Sequence, residues 1–85
     1  MKPIWWLSFA DPDKPKGSQF LGVCVVRSDD MILAVQKTWE LNINPGGEIH
    51  GVAIEDEKTI PIDCFNRLMQ KTELIERGLA RPVGS

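Results

Sequence analysis

The chain has no tyrosine, one histidine and two cysteines among its 85 residues. Each scarcity excludes something. Cys24 and Cys64 share no paired spacing, and His50 is the sole imidazole, so neither a zinc site nor a disulfide framework is indicated and no cofactor is expected. Both thiols should pack as small hydrophobes in a reducing compartment. No serine or cysteine sits in a recognisable nucleophile turn, so no catalytic residue is assigned, although His50 and Glu48 on one strand face could form an acid/base pair. No apolar run approaches the roughly 18 residues of a membrane span, and the start of the chain lacks the apolar core of a signal peptide. A cytoplasmic location without a membrane partner follows by default. Positive charge is not in excess either. The net charge is −2, and Glu48, Glu55, Asp56 and Glu57 make the second half locally acidic, which excludes a broad nucleic-acid footprint.

What is present suits a folded domain. A hydrophobic fraction of 42% with a charged fraction of 26% is that of a globular chain, not a disordered one. Residues 1–78 form one domain on this reading, with 79–85 as a flexible tail. A chain this short buries a modest core and cannot also enclose a deep pocket, so a ligand site is expected at a boundary between subunits of a homo-oligomer.

The element order reads strand, strand, helix, strand, helical tail. Lys2 to Ala10 has the apolar density of a strand, with Trp5, Leu7 and Phe9 on one face and a mixed set, Ile4, Trp6, Ser8 and Ala10, on the other. The mixed face resembles a contact surface. Phe20 to Val26 is apolar on both faces and should be central or covered. Ser28 is read as the N-cap of a helix that runs to about Glu40, with Asp29 and Asp30 in its first turn and Met31, Ile32, Val35 and Trp39 as its buried stripe. Glu48 to Glu55 suits a third strand in which Gly51 marks a bulge or a close approach. Ile62, Phe65, Leu68 and Met69 recur at helical spacing after Pro61, and Thr72 with Glu73 and Glu76 opens a last helical turn ending at Gly78. The predicted fold is α+β: a three-stranded β-β-α-β sheet of the split βαβ kind, first strand central, covered by one helix, with a short C-terminal helical segment.

Two loops carry the candidate site. In Asn42-Ile43-Asn44-Pro45-Gly46-Gly47-Glu48, two glycines offer bare backbone that can converge on an anion, or they simply make a tight turn after a helix capped by Asn42. The loop follows a helix instead of opening one, so it is not a phosphate loop of the usual kind, and any anion would need cations from elsewhere. In the other loop, Asp11 to Ser18, Lys14 and Lys16 are the available cations. The expected ligand set is Trp6, Lys14, Lys16, Ser18, Gln19, Asn42, Asn44, Gly46 and Gly47, with the glycines at phosphates, the asparagines at ribose or base, and Trp6 stacked on the base. Trp5 and Trp39 are assigned to the core.

Phe9-Ala10-Asp11-Pro12 with Pro15, Gly17-Ser18-Gln19-Phe20-Leu21-Gly22, a helix carrying Ala34 and Trp39, and Leu41 through Glu48 together resemble a family of small phage proteins, mostly uncharacterised. The resemblance covers about residues 5 to 54 and extends weakly to Leu68–Glu76. It implies a phage accessory protein acting in the host cytoplasm, and it brings no established catalytic residues. In size, and in pairing polar loops with aromatics, the chain also looks similar to the nucleotide sponges called Sequestins, an analogy of design and not of motif. The reading is a protein that binds and sequesters a small nucleotide immune signal, cyclic ADP-ribose-like or related, and so inhibits host antiviral signalling. The alternatives are a protein-binding inhibitor or virion accessory module, and a small cyclic-nucleotide phosphodiesterase.

Overall fold

A computed structural model describes residues 3–55, 58 and 60–79. Strands β1 (Ile4–Ala10) and β2 (Phe20–Arg27) pair antiparallel, helix α1 (Met31–Glu40) follows, and β3 (Glu48–Ile54) returns to pair antiparallel with β1. A 3-10 turn (Ile62–Cys64) leads to a two-residue strand β4 (Leu68–Met69) on the far side of β2, and helix α2 (Lys71–Glu76) ends the described chain. The sheet order is β3-β1-β2-β4. β1 is flanked by β2 and β3, as expected of a split βαβ sheet with the first strand central, and the sheet has a fourth strand that the sequence reading does not include.

Period-two alternation splits the core between the two faces of the sheet. Toward α1 point Leu7, Phe9, Cys24 and Val26, joined by Ala34 and flanked by Trp5, Met31, Val35, Ile43 and Ile49. Toward the other face point Ile4, Trp6, Val23 and Val25, and these are sealed by Ile60, Cys64, Met69 and Leu74. The mixed face of β1 is therefore not a contact surface. The C-terminal third of the chain folds back over it, and a side chain of the size of Trp6 gains about 1.5–3 kcal/mol from such burial.

The C-terminal segment is not a continuation of helical spacing. Asn66 takes a positive φ of 63° and its N–H bonds to the Val25 carbonyl at 2.9 Å, which stops any helix begun at Pro61. Leu68 and Met69 then pair with Cys24 and Val23. Ile62, one of the residues that suggested a helix, is 89% exposed. α2 is capped at Gln70 and not at Thr72. It closes in a Schellman turn, with Gly78 at φ 68° and the Leu79 N–H on the Leu74 carbonyl at 2.9 Å. Leu79, assigned from sequence to the tail, packs on the second core; residues 80–85 lie outside the described set, as do Asp56 and Glu57 of the acidic turn.

α1 starts two residues later than Ser28 predicts. Asp30 is the cap, its Oδ1 accepting from the Leu33 N–H at 2.8 Å, while Ser28 is buried at the end of β2. The inward stripe is Ala34 and Thr38, with Met31 and Val35 half-buried beside them. Ile32 and Trp39, predicted to be buried, are 72% and 61% exposed. Both lie farther round the helix than the sheet reaches.

Candidate binding cleft

The glycine loop is built chiefly as a helix stop. Leu41 is the C-cap, Asn42 follows at φ 62°, and the Asn42 and Ile43 N–H groups bond to the Trp39 and Thr38 carbonyls at 3.1 and 3.0 Å, a second Schellman turn with asparagine in the left-handed position. Asn44 Nδ2 donates to Thr38 Oγ1 at 2.9 Å and its Oδ1 accepts from the Gly46 N–H at 2.7 Å. That amide is engaged on both sides, and one of the two glycine N–H groups proposed for a phosphate is already bonded. Gly46 and Gly47 both have positive φ, 86° and 79°. They differ in surroundings: a Cβ at Gly46 would meet nothing within 4 Å, whereas one at Gly47 would lie 2.3 Å from the Ala10 carbonyl oxygen.

The β1–β2 loop is likewise folded onto itself. The Asp11 N–H bonds to the Gln19 carbonyl at 2.8 Å, and the Gln19 side-chain amide donates to the Lys14 carbonyl at 3.0 Å and the Pro12 carbonyl at 3.4 Å. Pro15 to Ser18 is a turn closed by the Ser18 N–H on the Pro15 carbonyl at 3.0 Å, with Gly17 at φ 90°. Lys14, Lys16 and Ser18 are exposed on it. Because Ala10 pairs with both Glu48 and Phe20, this loop and the glycine loop leave the same end of the sheet. The asparagines belong to the α1 side of that end.

Trp6 belongs to the other side. It is 1% exposed, so its ring cannot stack on a ligand as an open platform, and its Nε1 is buried without a hydrogen-bond partner. With Phe20, Val23, Lys71, Leu74 and Leu79 it lines a cleft of about 250 Å³ between the sheet and α2. Next to the cleft lies a more polar hollow of about 270 Å³, formed by Ala10, Gly17, Gln19, Phe20 and Lys71. Phe20 and Lys71 are common to both. The structure therefore brings Trp6 and Gln19 to one composite site and leaves Asn42, Asn44, Gly46 and Gly47 out of it. Lys71, Phe20 and Leu74 are the site residues that sequence reasoning missed. The available signal was a lone base opening the apolar pattern Leu74, Ile75, Leu79, a pattern that acquires a partner face only once the segment is known to return over Trp6.

The site has the makings of a receptor. Apart from Lys71 the cleft walls are apolar side chains and the Trp6 indole, and the exposed Lys71 forms no hydrogen bond or ion pair among the described residues. Neither cysteine supplies a nucleophile: burial pushes the Cys24 thiol up to about 12 and also raises Cys64. His50 and Glu48 are exposed on the edge strand β3. Among the described residues no three His, Cys, Asp or Glu side chains gather as a metal site, and no helix is long and apolar enough to cross a membrane.

Leu74 and Leu79 seat α2 on the core, and a network of ion pairs ties its outer side to the preceding turn. Arg77 makes a bidentate pair with Asp63 (Nη1–Oδ1 3.1 Å, Nη2–Oδ2 2.6 Å) and its Nε reaches Glu73 at 3.0 Å. Arg67 binds both Glu73 oxygens, Nη1–Oε1 at 2.8 Å, and its Nε donates to the Asp63 carbonyl at 2.7 Å. The Arg77 hydrogen bond holds the Asp63 carboxyl below its ordinary range, and the Arg67 hydrogen bond does the same for Glu73. Comparison of the chain with protein-family models, with characterised proteins and with solved structures finds no match.

Proposed function

We propose that this chain is a binding protein that holds a small phosphate-bearing nucleotide in the cleft between the sheet and α2. The observation that carries the reading is the junction of an apolar cleft with a polar hollow at Lys71, a cation without a partner among the described residues. A base enters the apolar part against the Phe20 ring, where stacking is worth roughly 1–3 kcal/mol. Its phosphate meets Lys71 and the Gly17–Gln19 backbone. Either space alone is small for a nucleotide; joined, they fall within the usual range of ligand pockets, about 300–1,000 Å³. The walls offer no nucleophile and base together, which favours retention over turnover. In the setting implied by the phage resemblance, the ligand is a cyclic ADP-ribose-like or related immune signal, and its sequestration in the host cytoplasm blunts antiviral signalling.

Incubation followed by heat release distinguishes holding from hydrolysis. The protein is mixed with cyclic ADP-ribose isomers, linear ADP-ribose and cyclic dinucleotides, separated from free ligand, and heated. Recovery of a retained ligand unchanged is the expected result. Recovery of a cleaved product would instead identify a phosphodiesterase.

A further inference from the structure

We infer that two copies of this chain associate through the outer edge of β3, about a two-fold axis at Ile49. Among the described residues no strand pairs with that edge, so the N–H and C=O groups of Glu48–Ile54 that point away from β1, those of alternate residues, are open. Natural edge strands are usually blunted by proline, lysine or a bulge, and β3 has no proline or lysine and an unbroken register with β1. The opposite edge is the two-residue β4, too short to compete. One long open edge per chain gives a closed pair instead of a filament.

Hydrogen-bonding complementarity between a carboxylate and an imidazole selects the partner and the register. In an antiparallel β3–β3 pair centred on Ile49, Glu48 lies directly opposite the partner's His50, and His50 opposite the partner's Glu48. Opposed residues sit about 4.5–5.5 Å apart at Cβ on the same face of the sheet. Both residues are exposed in the single chain. The α1 side agrees with the same centre. Met31 sits against Gly51, since a Cβ there would fall 2.7 Å from Met31 Sδ, and α1 runs antiparallel to β3. At about 1.5 Å per helical and 3.3 Å per strand residue, the midpoint between Ile32 and Trp39 falls two strand residues before Gly51, at the level of Ile49. Trp39 and Ile32 follow Met31 and Val35 around the helix on the side turned toward β3, since Met31 is the residue that meets Gly51. The two-fold sets Trp39 at the same level as the partner's Ile32, so that two large apolar residues, 61% and 72% exposed in the single chain, flank the axis.

Sedimentation velocity of the full chain over a concentration series tests the inference. Twice the 9.6 kDa chain mass is expected for the unaltered protein. Glu48→Lys, which removes the carboxylate facing the partner's imidazole, and His50→Glu, which sets two carboxylates opposite one another, should each weaken association at least tenfold, and the double variant should restore it. Far-UV circular dichroism checks that each variant is folded. A monomer at every concentration, a dimer indifferent to both single changes, or a double variant that remains monomeric would each overturn the proposal.

Discussion

At the scale of single residues, Gly46 and Gly47 look equivalent in sequence and are not. Both have positive φ, which costs an L-residue roughly 1–2 kcal/mol, but only Gly47 is pressed against the β1 backbone. Gly46→Ala should therefore lower stability by about 1 kcal/mol and Gly47→Ala by more than 3, read from urea-unfolding midpoints. Asn44→Ala removes the donor to the buried Thr38 hydroxyl, which keeps its own bond to the Val35 carbonyl, as well as the cap on the glycine turn, and should cost about 1–2 kcal/mol in the same assay. The turn and its asparagine cap were legible because glycine, asparagine and proline act through their own backbone. The place of Trp6 was not. Alternation assigns a side chain to a face of the sheet, but whether that face is wet depends on a segment some 55 residues later. Trp39 fails for a related reason: helical spacing identifies a stripe and does not say how wide the sheet beneath it is.

At the scale of elements, β1, β2, α1 and β3 could be read from the sequence since each has one clear period and a recognisable stop. The region after Pro61 could not, because its apolar residues have a spacing that a 3-10 turn, a positive-φ Asn66 and a two-residue strand can also produce. Ile60, Cys64, Met69 and Leu74 bury that region's inner side, and an ion-pair network ties its outer side. Asp63 and Glu73 are held below their ordinary values near 3.8 and 4.5, by Arg77 and Arg67 respectively. A carboxyl whose folded pKa is depressed stabilises the fold above its ordinary pKa and loses that contribution as pH falls through the folded value. Acid should therefore loosen α2, with the change beginning below about pH 4.5 and continuing below 3.8. Hydrogen exchange resolved by segment should show Lys71–Glu76 opening before β1 and β2 over that window, and Asp63→Asn should reduce the pH dependence. Uniform opening of all segments would contradict this account.

For the whole molecule, the decisive feature is that both faces of the sheet are covered, by α1 on one side and by the 3-10 turn with α2 on the other. That second cover turns a bare sheet face into a core with a cleft at its margin. It also moves the candidate site away from the glycine loop, retaining Trp6 as a wall and Gln19 as part of the polar end. Lys71 becomes the principal cation in place of Lys14 and Lys16. Calorimetric titration of the unaltered protein and of Lys71→Ala with cyclic ADP-ribose isomers, linear ADP-ribose and cyclic dinucleotides puts this claim to the most direct test. The account predicts saturable heat with at least one of these ligands, and an affinity at least tenfold lower for Lys71→Ala, equivalent to about 1.4 kcal/mol. Absence of heat with every ligand, or binding that Lys71→Ala leaves unchanged, would contradict it.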